Sequence, residues 1–438
     1  MRVLFTTWSP GGHLTPMVPL ARAFEEAGHQ VRVAVPSGCA AAVARTGLVP
    51  VPVGTLPKAA RAAGAAPRLR GRWPADWPLR PAELGAEQRG LLRALGDKQV
   101  RIAEAMAQGL VAFARCWRPA LVVHDASAYA GTVAAAVLGV PAVGQMWGSA
   151  AVLRLDRQDL HGPPLPGYAR LMRRYGVDPA REPDLWLDPC PPSLALPAPV
   201  RRTPVRFAAA DDGTGPADPG GPAASATPAG RDGGPPGAVS RICLAWDDAD
   251  GPPEAVRAAL RQVEARGVQV VAGPGAAWPP LRPPEGCRAV VHQGGGAAVV
   301  AAAAAGVPQL VVAPRPEQQL NGARLALAGA GRLLTADTSA AHVLAALSEL
   351  LERPSYTAAA RGLRAEILAL PGPEETVARL TDPDHPRRAD RPPATPPPPA
   401  TPRHPATPRH PATPRHPAAP PHPTTPPAPS PYRGAAPC

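Results

Sequence analysis

Two histidine-bearing, glycine-rich segments hold the residue types that could do chemistry in this chain. They are Ser9-Pro10-Gly11-Gly12-His13 near the start and Val290-Val291-His292-Gln293-Gly294-Gly295-Gly296-Ala297-Ala298 in the second half. An imidazole titrates near neutrality, so His13 can accept the proton of a hydroxyl as that hydroxyl attacks. It could equally cap a helix start. The second segment offers different chemistry. An apolar run enters three glycines, and an alanine-rich helix follows at once. Glycine lets the backbone approach a ligand closely. The first amides of a helix lack internal partners and sit at the positive end of its dipole. Such a loop can cradle a diphosphate, with His292 at the strand end placed to donate to a phosphate oxygen. A tight strand-to-helix turn in an alanine-rich chain would give the same string.

Residues of this kind need elements to hold them. Val3–Thr7 reads as a buried strand, and residues 16–27 read as a helix, because Met17, Leu20, Ala21 and Phe24 recur at three- and four-residue spacing before Gly28. Val31–Val35 is a second strand, which completes a βαβ unit and implies a parallel sheet. A helix at 99–115, a strand at 121–123, a helix at 129–138 and a short strand from Pro141 continue the pattern. The first domain is expected over 1–207. The stretch 208–238 is Gly, Pro, Asp and Ala with almost no large apolar residue, and reads as a flexible linker. A second α/β domain is expected over 239–381. Its strands are read at 240–244, 268–272, 288–291 and 309–313, with helices at 252–265, 297–305 and 317–328. From 382 to 438 the chain is proline-dense and carries three copies of Ala-Thr-Pro-Arg-His-Pro between Ala400 and Pro417, which reads as a disordered tail.

Composition narrows the function classes. The 438 residues are 45% hydrophobic, enough for two cores, and the net charge is +12. That charge reads as diffuse arginine plus a basic tail. With 4% aromatic residues and no basic helix interleaved with aromatics, no nucleic-acid partner is expected. The six cysteines show no C-x-x-C pair and no histidine at ligand spacing, so no metal site is expected, and a reduced cytoplasmic setting is. No apolar run reaches membrane-spanning length.

The second segment has a wider context. Gly306-Val307-Pro308-Gln309, then Glu317-Gln318-Gln319-Leu320-Asn321, then Gly329-Ala330-Gly331 follow it in order. The stretch from Val290 to Gly331 resembles the donor-binding motif of family 1 glycosyltransferases. Ser9–Pro16 resembles that family's first loop, and Trp117–Gly131 resembles a later segment that carries an acid. Leu187-Asp188-Pro189-Cys190-Pro191-Pro192-Ser193-Leu194 is similar to a signature of macrolide and anthracycline glycosyltransferases of the erythromycin desosaminyltransferase type. The resemblance implies an α/β GT-B fold, with two Rossmann-like doubly wound domains facing a cleft.

It also implies roles. His13 would be the general base and Asp125 its orienting acid, with His124 the alternative. His292, Gln293, Gly294, Gly295, Gly296 and Ala297 would bind the donor diphosphate, and Glu317 and Gln318 the donor sugar. Trp278 would stack on the base. Acceptor specificity would lie in loops near 55–95 and 145–175. The implied reaction is inverting transfer of a deoxysugar from a dTDP- or UDP-sugar to a hydroxyl of a polyketide-type aglycone. No separate cofactor or metal is expected, and a cytochrome P450-like activator is an implied partner. Some positions depart from the pattern: Gln293 replaces a His, Gly296-Ala297 inverts Ala-Gly, Ala298 replaces a Thr or Ser, and Glu317 replaces an Asp. They motivate the alternative of a degenerate homologue that binds without turnover. A nicotinamide dehydrogenase is disfavoured, because the first loop lacks G-x-G-x-x-G and no acid closes the second strand.

Overall fold

A computed structural model describes residues 1–56, 73–208, 240–246, 251–272, 283 and 286–382. Trp278, nearly all of the 208–238 stretch and all but the first residue of the 382–438 tail lie outside these.

The first sheet is wholly parallel, in the order β3-β2-β1-β4-β5-β6-β7. Its strands are β1 (Arg2–Thr6), β2 (Gln30–Val35), β3 (Pro50–Pro52), β4 (Leu121–Asp125), β5 (Ala142–Gln145), β6 (Leu185–Asp188) and β7 (Arg202–Pro204). Alternate side chains of a strand face opposite ways. Val3 and Phe5 therefore enter one apolar layer with Phe24 of α1 (Val18–Glu26). Leu4 enters the other layer with Met106 and Leu110. Strand order reverses between β1 and β4, which opens a crevice at the carboxyl ends of these two strands.

Helices α2 (Ala40–Arg45), α3 (Ala86–Trp117), α4 (Tyr129–Leu138) and α5 (Pro166–Arg174) complete this part. The expected helix at 99–115 is the second half of α3, a single helix of 32 residues. Its first half carries Gly90 and Gly96, which weaken helical propensity and hide the periodicity. Gly96 is there for packing, because a Cβ would collide with the Leu155 carbonyl.

The second sheet, also parallel, runs β12-β11-β10-β8-β9. The strands are β8 (Arg241–Ala245), β9 (Gln269–Ala272), β10 (Cys287–His292), β11 (Gln309–Ala313) and β12 (Gly331–Thr335). The helices are α6 (Glu254–Glu264), α7 (Gly296–Ala305), α8 (Pro316–Leu327), α9 (Ala340–Glu352), α10 (Pro354–Leu368) and α11 (Pro373–Thr381). Here the reversal lies between β8 and β10, so the loop after His292 sits at this sheet's crevice. The last helix, α11, packs on α1, and its Val377 joins the first sheet's apolar layer. Sequence reading had grouped it with the second domain. Its apolar stripe shows that it needs a partner, not which one.

Among the described residues no helix is long and apolar enough to cross a membrane.

Candidate active site

His13 and Asp125 come together at the first crevice from positions 112 residues apart. The His13 Nδ1 lies 2.6 Å from Asp125 Oδ2. Asp125 is 1% exposed and sits at the end of β4. Its Oδ1 accepts from the backbone N–H and the hydroxyl of Ser127, both at 2.7 Å, and the Thr7 hydroxyl reaches Oδ2 at 3.4 Å. Burial pushes this carboxyl up, but His13 and the Ser127 bonds overcome that and hold it below the usual carboxylate range. An ionised Asp125 fixes the proton of His13 on Nδ1. Nε2 has no partner among the described residues and faces its task as an acceptor. Burial lowers the His13 pKa, yet Asp125, its hydrogen bond and Glu317 together raise it above the ordinary imidazole value, with Lys98 opposing.

Sequence reading missed the walls of this site. The His13 ring lies between two indoles, Trp8 at 4.8 Å and Trp147 at 4.7 Å between centroids. Trp8 is itself tied by its N–H to Ser127 Oγ at 2.8 Å. Gln145, at the end of β5, donates to the Pro16 carbonyl at 2.6 Å and so anchors the first loop. His124, the alternative acid partner, points elsewhere. It is 2% exposed and is held by the Asp125 carbonyl and Thr132.

The second segment is placed as a strand–loop–helix at the other crevice, with α7 starting at Gly296. One expected role is corrected. His292 is 0% exposed, and both ring nitrogens are used inside the protein. Nδ1 accepts from the Gly294 N–H at 2.9 Å, so Nε2 carries the hydrogen and donates to Gln309 Oε1 at 2.9 Å. Gln309 in turn donates to the Val299 carbonyl in α7. Burial pulls the His292 pKa to about 4, against the Gln309 bond. His292 therefore shapes the loop as a neutral ring and offers no free donor to a phosphate. Gly294 (φ +93°) makes the turn in the left-handed region. The opening amides of α7, Gly296 to Ala298, have no partner within the helix.

Glu317 and Gln318 open α8. Glu317 Oε1 accepts from the Trp147 indole N–H at 3.0 Å and from Asn321 Nδ2 at 3.3 Å. Gln318 is 5% exposed, and its Oε1 is buried without a partner. Gln293 is buried in the loop.

The two crevices face each other closely. Gly12 approaches Ala297, with 3.9 Å between the Ala297 Cβ and the place a Gly12 Cβ would occupy. At Gly296 a Cβ would lie 2.5 Å from Ser149 N and 2.8 Å from Gly148 C. This explains the inverted Gly296-Ala297 order: the first-sheet loop 147–149 occupies the space a side chain would need. Asn321, also missed, bolts the arrangement. Its Nδ2 donates to the Gly294 carbonyl and its Oδ1 accepts from the Ala150 N–H, both at 2.9 Å. A signal was present, since Asn321 lies one helical turn after Glu317.

Two further segments make structural contacts across the crevice. Part of the proposed acceptor loop near 55–95 is an anchor: the Trp73 N–H donates to Gln319 Oε1 and the Trp77 indole reaches the Pro316 carbonyl. The Asp188–Leu194 signature is a brace between the two sheets. Asp188 pairs with Arg202 at 2.8 Å, Ser193 binds Glu366, and Arg324 donates to the Leu194 carbonyl. A small cavity of about 30 Å³ is lined by His124, Tyr129, Trp147, Asp156, Tyr168 and Trp186 among others.

Profiles of known families recognise this architecture. The N-terminal domain described as erythromycin biosynthesis protein CIII-like matches residues 22–213, and the corresponding C-terminal domain matches residues 277–382. The chain belongs to this family of glycosyltransferases. An erythronolide mycarosyltransferase from Saccharopolyspora erythraea is 31% identical, the match covering 87% of this chain and 98% of that protein. A TDP-daunosamine transferase from Streptomyces peucetius is also 31% identical, over 87% and 96% respectively. The crystal structure of the glycosyltransferase SsfS6 of Streptomyces sp. SF2575, complexed with thymidine diphosphate, superposes with a TM-score of 0.65 at 25% identity, covering 87% of this chain and 99% of that one. The GT-B architecture expected from sequence is thus present, and the protein is an enzyme that transfers sugars.

Proposed function

We propose that this glycosyltransferase moves a deoxysugar from a dTDP- or UDP-sugar to a hydroxyl of a polyketide-type aglycone, with inversion at the anomeric carbon. The observation that carries the reading is the His13–Asp125 pair at 2.6 Å, set against the N-terminus of α7. An acceptor hydroxyl has a pKa far above neutrality and needs a base as it attacks. His13 Nε2 takes that proton, and ionised Asp125 holds the tautomer and stabilises the imidazolium that forms. In this reading the base serves a single displacement, which inverts the anomeric carbon. The bond from the anomeric carbon to the diphosphate oxygen breaks as the bond to the acceptor oxygen forms. The amides of Gly296 to Ala298 stabilise the negative charge on the departing diphosphate, so the reading needs no metal or separate cofactor. Gly295 presents backbone to the same group, and Glu317 and Gln318 take the sugar hydroxyls.

Names of relatives support the substrate classes: an erythronolide, a tylactone and an aklavinone transferase are among them, and a related rhamnosyltransferase was solved with spinosyn aglycone. The cysteine usage supports a cytoplasmic setting. A cytochrome P450-like activator is proposed on the Asp188–Leu194 signature, and assays are to be run with and without one. The test offers TDP-linked deoxysugars with erythronolide, tylactone or aklavinone and reads glycoside formation by mass. Transfer by the wild type and its loss in His13→Ala supports the reading. Equal transfer by both refutes it.

A further inference from the structure

Trp147 touches three parts of the site at once. Its ring packs on His13 at 4.7 Å between centroids. Its indole N–H donates to Glu317 Oε1 at 3.0 Å, across from the first sheet to the second. Its Cδ1 lies 2.9 Å from where a Gly296 Cβ would stand, so it lies against the opening turn of α7. Gly148 follows with φ +90°. A Cβ there would lie 2.5 Å from Val300 of α7, so the backbone that carries Trp147 lies close against that helix.

We propose that Trp147 is a positioning residue that links occupation of the donor-sugar site at Glu317 to the orientation of the His13 ring. The proposal rests on the reading of His13 as base and Glu317 as sugar ligand. A carboxylate has about four lone-pair positions. Oε1 of Glu317 serves Trp147 and Asn321. A sugar hydroxyl arriving at Glu317 redistributes those bonds, and the indole is the only one of the two donors that also touches His13 among the described residues. Two consequences follow. The base is aligned best when the sugar is in place, which limits wasteful attack by water. Glu317 also contributes more than a grip on the sugar, since its charge supports protonation of His13.

The test uses the full chain. Ring resonances of His13, assigned by loss in His13→Ala, are followed by NMR on adding TDP and on adding TDP-glucose. The wild type is expected to shift further with TDP-glucose than with TDP. In Trp147→Phe, which keeps a ring on His13 but lacks the N–H, that extra shift is expected to vanish while TDP still binds. In transfer assays Trp147→Phe should lower kcat about tenfold with little change in the KM for donor. Trp147→Phe added to Glu317→Ala should cost nothing further, because the link needs both partners. A sugar-dependent shift that survives in Trp147→Phe, or independent multiplication of the two losses, overturns this proposal alone. No response of wild-type His13 to either ligand, or full transfer by His13→Ala, overturns the functional reading and this proposal with it.

Discussion

His13 and His292 occupy matching places on two different sheets. His292 ends a strand that runs into a glycine-rich loop, His13 lies inside such a loop, and the sequence nominates the first as a diphosphate ligand and the second as a base. Their surroundings separate them. His13 is 23% exposed, has one nitrogen on a buried carboxylate and one nitrogen open, and titrates above the ordinary imidazole range. His292 is sealed, spends both nitrogens on Gly294 and Gln309, and is pulled to about 4. A residue type and its position on a fold nominate a site. The partners of its second nitrogen decide whether it reacts or builds.

Alanine replacement separates the two most sharply. His13→Ala is expected to lower transfer by about 10²–10⁴-fold, the usual worth of a general base. His292→Ala is expected to cost about 2–4 kcal/mol of stability, read as a lower denaturation midpoint, because it leaves a buried amide and a buried glutamine oxygen unpaired. A His292→Ala protein of wild-type stability would break the distinction.

Acid should sharpen it further. The folded-state pKa of His292 is depressed to about 4 from an unfolded value near 6.5. The unfolded chain therefore binds the proton first as pH falls. Stability contributed by His292 is complete above about 6.5 and is lost down to about 4, by roughly 3 kcal/mol. His13 has the opposite sign. Its raised pKa favours the folded protein below the unfolded value and ceases to do so as pH rises through the folded one. Catalysis needs the neutral ring, so kcat/KM should climb with pH and level off above an apparent pKa higher than about 6.5. In Asp125→Asn that limb should move to lower pH while the plateau falls.

Gly296→Ala probes the closeness of the two crevices. The new Cβ would meet Ser149 and Gly148, and we expect a loss of about 1–3 kcal/mol together with reduced transfer. Ala298→Ser is the smallest change. It returns a hydroxyl to the first turn of α7, and TDP should bind about 2–10-fold more tightly by isothermal titration, the worth of one hydrogen bond.

Much of the fold was legible, because its signals are local. Strand β11 was read at its observed bounds, and the βαβ opening and the alanine helix were evident from periodicity and glycine placement. The long α3 was half read, since Gly96 serves a contact with residue 155 that no local pattern reveals. The His13–Asp125 pair was reached only through resemblance, because 112 positions separate its members. Trp8, Trp147, Ser127 and Asn321 were missed for a common reason. Each acquires its meaning from a partner on another loop or the other sheet, as with the Trp147–Glu317 and Asn321–Ala150 bonds. The role of His292 was misread because spacing places a ring at a loop but says nothing of which atoms close around it.

The most direct test is a single experiment on wild type and His13→Ala with a TDP-deoxysugar and a panel of macrolide aglycones. Glycoside yield and anomeric configuration are read by mass and NMR, alongside TDP binding. The account predicts an inverted glycoside from the wild type, none from His13→Ala, and equal TDP binding by both. A retained configuration, or undiminished transfer without His13, would contradict it.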